Sequence, residues 1–369
     1  MVSIPAHDAG IIDRVFWRGR RVLVTGHTGF IGGWTAAWLH ALGSKVAGIA
    51  LSPPTNPSFH ELVGLKSRMN ESIADIRSPP ALLSAFEAVR PEIVLHLAAQ
   101  PLVRVGYEQP DETFAVNLMG TVNVLDCVRR HGAMAFVAMT SDKVYGPGDG
   151  STHYREDDRL GAQDPYGSSK ACCELAVEAY AQSYLANTGI GVATVRAGNV
   201  VGGGDWQIDR LVPDAMRAFA AGRPLVLRHP DAVRPWQHVL DAIQALLAVA
   251  QDAAHRRAFT GPWNVGPPPN RTVTVAALAN LAASVWGADA RISHEAAKQY
   301  PETHFLAIDE SKARTELGIV SPWNLETIVE RTVTWYKGAL AGQDAWKLTM
   351  DQIGAYETDC SHCLTEALG

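Results

Sequence analysis

The run Thr25-Gly26-His27-Thr28-Gly29-Phe30-Ile31-Gly32 stands between a β-type segment, Arg21 to Thr25, and an apolar-periodic stretch from Ile31 to Leu42. Three glycines at a strand-to-helix junction act together. The first allows a tight turn, and the others let a pyrophosphate approach the backbone and the positive end of the helix. Glycine also ends strands for purely structural reasons, so the weight of this triplet comes from its place after the first strand of a βαβ unit. A dinucleotide site is expected here, built from Gly26, Thr28, Gly29, Phe30, Ile31 and Gly32.

The alternation of strand and helix continues. Lys45 to Leu51 reads as a second strand, Ala81 to Val89 as a helix ended by Pro91, Ile93 to Ala98 as a buried strand, and Thr113 to His131 as a long helix. Ala135 to Thr140 and Gly191 to Arg196 follow as strands, separated by a Gly/Asp/Pro-rich loop (Gly146 to Pro165) and a helix from Tyr166 to Ala186. Such alternation implies a parallel sheet. The expected class is α/β: a Rossmann-type doubly wound parallel sheet over residues 1–196, of which 1–15 form a loose extension. Beyond Arg196 the spacing is broken by Gly202-Gly203-Gly204, Pro213, Pro224, Pro230, Pro235 and Pro262 to Pro269. Residues 197–345 therefore read as a smaller, mixed substrate-binding lobe, with the helix at Val239 to Ala250 packing back on the first domain, and 346–369 as a tail. A chain of 369 residues suits two such lobes.

A net charge of -6 without a basic stripe argues against a nucleic-acid partner. The longest apolar runs, Ile93 to Ala99 and Gln244 to Ala250, fall well short of the roughly 20 residues that span a bilayer. The first twenty residues mix Asp8, Asp13, Arg14 and Arg18 with short apolar patches, unlike a signal peptide, so a cytoplasmic location and no membrane partner are expected. Five cysteines, two of them adjacent at Cys172 and Cys173, do not suggest a disulfide framework. Cys360-Ser-His-Cys363 offers two thiolates and an imidazole, but no second Cys/His pair lies nearby to complete four ligands; a frayed end and no metal are expected.

Tyr166-Gly-Ser-Ser-Lys170 puts a phenol and an ammonium four residues apart on one helix face, where the cation lowers the phenol's pKa and makes a competent base. Thr140-Ser141-Asp142-Lys143 ends a strand at the carboxyl edge of the sheet, where ligands of open α/β folds bind, so these side chains are expected to face a nicotinamide. The acid that ordinarily meets the adenosine ribose, about 20 residues past the last glycine, is replaced by Ser52-Pro53-Pro54-Thr55. No arginine stands there for a 2′-phosphate either, so NAD is preferred to NADP. Asp75 and Ile76 either meet the adenine or form an ordinary exposed turn.

Ser141, Asp142, Lys143, Tyr166 and Lys170 together resemble the extended short-chain dehydrogenases that act on nucleotide sugars, a group of epimerases and 4,6-dehydratases. The resemblance covers nearly the whole chain, from Phe16-Trp17-Arg18-Gly19 through Ala98-Ala99-Gln100-Pro101-Leu102-Val103-Arg104, Arg196-Ala-Gly-Asn199 and Gly202-Gly-Gly-Asp-Trp206 to Arg234-Pro-Trp-Gln-His238-Val239. Val144-Tyr145-Gly146-Pro147 departs from it, standing where Cys-Tyr and a polar pair are usual.

The resemblance implies NAD as cofactor, with Leu97, Ala98, Ala99, Gln100 and Thr140 added to its site. It implies that Tyr166 takes the proton of a sugar 4-hydroxyl as hydride leaves C4 for NAD, with Lys170 holding phenolate and ribose. Lys143 and Asp142 then serve as base at C5 and acid at the departing 6-hydroxyl, before hydride returns to C6. Those roles need a neutral lysine and a protonated acid, and an ion pair between the two defeats both. Arg104, Asn199, Arg210, Arg234, His238 and Asn264 are the implied contacts to a nucleotide-diphosphate sugar. Asp-Lys in place of Asp-Glu resembles the branch that acts on CDP-glucose. A dTDP-, GDP- or UDP-sugar dehydratase, a 4-epimerase, and a non-catalytic NAD(H) sensor remain alternatives. Pairing of the helices at Thr113 to His131 and Tyr166 to Ala186 implies a homodimer or tetramer.

Overall fold

The computed structural model describes residues 12–148, 153–268, 271–294 and 305–368; the first eleven residues of the expected extension, residues 149–152 of the loop before Tyr166, and Pro269 lie outside them. Chain order is sheet order at first. Strands β1 (Arg21–Thr25), β2 (Lys45–Ala50), β3 (Asn70–Ile73), β4 (Ile93–His96), β5 (Ala135–Met139) and β6 (Gly191–Ala197) pair side by side as 6-5-4-1-2-3, all parallel. The order turns back between β1 and β4, which opens a crevice at the carboxyl ends of those strands.

The connections are α1 (Arg14–Trp17), α2 (Phe30–Ala41), α3 (Phe59–Leu62), α4 (Pro79–Val89), α5 (Val103–Glu108), α6 (Pro110–Phe114), α7 (Gly120–His131) and α8 (Pro165–Tyr180). Strand side chains alternate between two cores, as the two-residue period demands. Val22 and Val24 pack toward Trp34 and Trp38 of α2, while Leu23 packs with Leu82, Phe86, Val124 and Val128 of α4 and α7. A sheet covered on both faces is what continuous apolar strands such as Ile93–His96 and Ala135–Met139 require. The helix expected from Thr113 is interrupted by one π turn, Ala115–Met119, between α6 and α7. The start of the chain is not loose as far as Arg14: Asp13 caps α1, and Phe16 and Trp17 are buried.

Past β6 come β7 (Asn199–Val201), β8 (Leu225–Leu227), β9 (Val233–His238), β10 (Phe259–Val265), β11 (Thr272–Thr274) and β12 (Ile292–His294), with α9 (Leu211–Ala220), α10 (Val239–Arg256), α11 (Val275–Trp286), α12 (Ser311–Leu317), α13 (Leu325–Leu340) and α14 (Ala345–Leu368). Two small sheets, β11-β9-β7 and β12-β8, form the mixed lobe. The main sheet, however, takes its seventh strand from this half: β10 lies parallel to β6. Helix α10 packs on β5 and β6. The fold therefore does not divide at residue 197, and the cause is a shared core, in which Ile243, Trp263 and Trp335 join Val22 and Val137.

The expected tail is the 24-residue helix α14, docked rather than frayed. Trp38 Nε1 donates to Glu357 Oε1 at 2.9 Å, Trp323 Nε1 to Asp359 Oδ2 at 2.7 Å, and Tyr356 OH to Asp241 Oδ1 at 2.6 Å. Cys360 is buried against Gln244. Among the described residues no helix is long and apolar enough to cross a membrane.

Candidate active site

The glycine turn connects β1 to α2, and sterics fix its composition. Gly26 has φ +79°, and a Cβ there would lie 2.7 Å from the Ala98 nitrogen; a Cβ on Gly32 would lie 2.2 Å from the Gly26 carbonyl oxygen. A side chain at either position closes the cradle or pushes helix from turn. Thr28 Oγ1 donates to the Leu51 carbonyl at 2.9 Å, tying the turn to the end of β2. Thr25 Oγ1 accepts from the backbone N–H groups of Leu97 and Ala98, both at 3.1 Å, so the ends of β1 and β4 are held together. Gln100 is set by Asn117 of the π turn, whose Oδ1 accepts from the Gln100 N–H at 2.8 Å. Naked backbone at a helix start, bounded by the ends of two strands, fits a dinucleotide pyrophosphate.

Ile31 and Phe30 lead from this turn into a cleft lined also by Met139 to Lys143, Tyr166, Asn199, Arg210 and Arg234. Helix α8 begins at Pro165 and is capped by Asp164, whose Oδ1 accepts from Gly167 N–H at 2.9 Å; this delivers Tyr166 and Lys170 to the cleft one turn apart. Lys170 Nζ donates to the Met139 carbonyl at 3.1 Å, and burial pulls its ammonium below the usual lysine range. Burial pushes the Tyr166 phenol up to about 12, against the opposing influence of the Ser141 hydroxyl and the Arg210 guanidinium.

Ser141 caps the short turn Asp142–Val144, its Oγ accepting from Lys143 N–H at 3.2 Å and donating to Asp142 Oδ1 at 3.1 Å. Asp142 is 3% exposed, and its Oδ2 has no hydrogen-bond partner among the described residues. Burial raises this carboxyl above the usual range despite the nearby charges of Lys143 and Arg234. Lys143 is half-buried at the cleft wall, and among the described residues no ion pair joins it to Asp142. Both side chains line the cleft, and burial favours the proton on Asp142.

The remaining expected residues divide. Arg210 pairs with Asp205 at 2.8 Å, and Arg234 is buried with Nη1 on the Val233 carbonyl at 2.7 Å; both line the cleft with Asn199. Arg104 lies outside the lining, paired with Glu108 at 2.9 Å and reaching Asp209, a rim residue, at 3.8 Å. His238 and Asn264 are corrections. His238 is wholly buried as the N-cap of α10, its Nδ1 accepting from Leu240 N–H and its ring against Trp323. Asn264 is equally buried, accepting from Tyr145 OH at 2.5 Å and donating to the Tyr154 carbonyl. Neither lines the cleft: Asn264 is consumed by internal hydrogen bonds, and the His238 ring is enclosed in the core, its Nε2 buried without a hydrogen-bond partner among the described residues. Asp75 is forked with Arg77, at 2.6 Å to Nη2, and the Ile76 side chain is core beneath Gly120.

Glu174 escaped the sequence reading. Four residues after Lys170 on α8, it accepts from Thr140, from Thr194 at 2.7 Å and from Arg196 Nη2 at 2.9 Å, tying the ends of β5 and β6 to the helix that carries Tyr166. The i+4 spacing from Lys170 was the available signal.

The NAD dependent epimerase/dehydratase family matches the chain over residues 22–266. A CDP-glucose 4,6-dehydratase of Salmonella typhimurium is 42% identical over 353 residues, 94% of this chain and 98% of that protein. A dTDP-glucose 4,6-dehydratase of Streptomyces griseus is 27% identical over 85% of this chain and 93% of its own. Among solved structures, the UDP-glucose 4-epimerase of Thermus thermophilus in complex with NAD superimposes with a TM-score of 0.75 at 26% identity, over 86% of this chain and 99% of that one.

Proposed function

The chain belongs to the NAD dependent epimerase/dehydratase family, and from that premise we propose that it dehydrates CDP-D-glucose to CDP-4-keto-6-deoxy-D-glucose with NAD as a recycled cofactor. It is a hydro-lyase. The observation that carries the reading is the buried carboxyl of Asp142, whose Oδ2 has no hydrogen-bond partner and which forms no ion pair with Lys143 among the described residues, next to Tyr166 and Lys170. Interconversion at C4 alone needs only the tyrosine and lysine; an elimination needs an acid and a base besides.

Gly26, Thr28, Gly29 and Gly32 hold the cofactor's pyrophosphate side, and Phe30, Ile31, Lys170 and the end of β5 its reactive side. When bound, NAD accepts hydride from the sugar C4 and later gives it to C6. Tyr166 takes the 4-hydroxyl proton, which leaves a ketone that acidifies the C5–H bond. Lys143 removes the C5 proton while Asp142 protonates the departing 6-hydroxyl, and water leaves. Lys143 returns a proton to C5 as C6 is reduced and is restored; Tyr166 is left holding the 4-hydroxyl proton and Asp142 lacks the one it gave to water, so one proton passes from Tyr166 to Asp142 by way of solvent before the next turnover. Arg210, Arg234 and Asn199 meet the diphosphate, Arg234 also bringing positive charge close to Asp142.

The protein acts as a homodimer or tetramer assembled through α7 and α8, where the π turns that adjoin them, Ala115–Met119 and Ala181–Leu185, and the outer face of α8 leave Met119, Tyr184 and Leu175 each half or more exposed. Five free cysteines fit a cytoplasmic location. The deciding experiment incubates the purified protein and NAD separately with CDP-, dTDP-, GDP- and UDP-hexoses and follows mass. Loss of one water from CDP-glucose alone supports the reading. Loss from another nucleotide sugar moves the base, and a change of configuration without loss of water replaces the dehydratase by an epimerase.

A further inference from the structure

Three side chains that the reaction does not use converge beside the glycine turn. His27 comes from the turn itself, His60 from α3, and Glu71 from the edge strand β3. His27 Nε2 and His60 Nε2 approach the same carboxylate oxygen, Glu71 Oε2, at 3.2 and 2.7 Å, and one ligand atom from each residue lies within 4.8 Å of the others. The two rings meet edge to face, 5.7 Å apart at 64°. His27 is completely buried and His60 nearly so, while water reaches the Glu71 side of the cluster. The Nδ1 atoms of both rings are buried without hydrogen-bond partners among the described residues, so Nε2 is the atom each ring presents.

Among the described residues the only groups that meet the Glu71 carboxylate are the two ring nitrogens, and no arginine or lysine pairs with it. Two imidazole nitrogens and one carboxylate oxygen are a donor set for zinc-class ions, whereas magnesium and calcium prefer oxygen throughout. Tetrahedral coordination at about 2.0–2.1 Å places ligand atoms roughly 3.3 Å apart, so the His27–Glu71 separation of 3.2 Å already fits and the His60–Glu71 separation of 2.7 Å has to open by about 0.6 Å.

We infer that His27, His60 and Glu71 form a binding site for one divalent transition-metal ion of the zinc class, with its fourth position open to water beside Glu71. The ion staples the glycine turn to the edge strand, which is otherwise paired on one side only, by β2. The site is built from the fold rather than from a motif, since its ligands stand 33 and 11 residues apart in the chain. It is independent of the dehydration chemistry.

The test uses the full chain, free of any affinity tag, stripped with EDTA and titrated with zinc chloride by calorimetry. Elemental analysis reads stoichiometry, and substitution by cobalt(II) reads geometry. One ion per chain, tetrahedral cobalt bands in the visible, and a melting midpoint raised by zinc are expected. Glu71→Gln and His60→Asn each weaken zinc at least tenfold and abolish the rise in midpoint. A double change in the C-terminal helix, His362→Ala with Cys363→Ser, leaves both unchanged. Glu71→Gln is nearly isosteric, so it decides the matter even where His60→Asn fails to fold. No uptake by the wild-type chain, undiminished affinity in Glu71→Gln, or loss of the ion in the C-terminal variant overturns the site.

Discussion

Asp142 and Lys143 are neighbours in the chain with unlike surroundings, and the difference comes from a strand ending at Met139 and a short turn that buries one side chain and sends the next into the cleft. Burial raises the Asp142 carboxyl, so it holds its proton to higher pH than a solvated aspartate; the acid is lost as pH rises through that raised value. Asp142→Asn removes the acid but keeps the shape. Dehydration is expected to fall about 10²- to 10⁴-fold, the usual worth of a general acid, and the high-pH limb assigned to this group disappears. On the proposed roles oxidation at C4 belongs to Tyr166 and Lys170 and is expected to survive, so reduced cofactor is expected to build up in a single turnover. Dehydration at near the wild-type rate in this variant removes Asp142 from the role.

At the scale of elements, the cleft depends on how closely α2 and α8 approach the strand ends. Gly32→Ala sets a methyl 2.2 Å from a backbone oxygen, which no rotamer can relieve. A stability loss of about 1–3 kcal/mol is expected for such overpacking, with at least tenfold weaker NAD binding by fluorescence titration. Glu174 is the matching device at α8. Glu174→Gln leaves the Arg196 guanidinium, 3% exposed, without its counter-charge, and a destabilisation of about 3 kcal/mol follows by denaturant unfolding. The position of Thr140, one residue before Ser141, depends on the same carboxylate.

At the scale of the molecule, α14 is bonded to the first half of the chain through Trp38 and Glu357 and to α10 through Asp241, fully buried near the start of that helix and bonded to Tyr356 OH and the His238 N–H. Burial raises this carboxyl to about 6, while an unfolded aspartate titrates near about 3.9. A folded-state pKa above the unfolded one means the folded state binds the proton more tightly. Its stabilising contribution is full below about pH 4 and is lost as pH rises through about 6, an effect of about 3 kcal/mol for two units. Asp241→Asn therefore flattens the fall in melting midpoint across that window relative to wild type; parallel slopes refute the assignment. The assembly is tested on the outer face of α8: Leu175→Glu, 56% exposed in one chain, is expected to give a monomer by light scattering.

Local physics made the first half legible. The glycine turn, the alternation of strands and helices, and the Tyr166/Lys170 spacing each express a rule that operates over a few residues, and β1, β2, β4, β5 and β6 begin and end within two residues of their expected limits. Distance in the chain hid the rest. Strand β10 reads as part of a separate lobe because only contact with β6 assigns it to the main sheet, and α14 reads as a frayed end because its partners, Trp38 and Asp241, lie more than a hundred residues away. His238 and Asn264 carry the polarity of ligand contacts, yet whether a polar side chain serves a ligand or an internal partner depends on which groups the fold brings against it. The residue types proposed for the reaction were written in the sequence; the pull of burial on Asp142, Tyr166 and Lys170, and the meeting of His27, His60 and Glu71, were decided by which groups the fold packs around them.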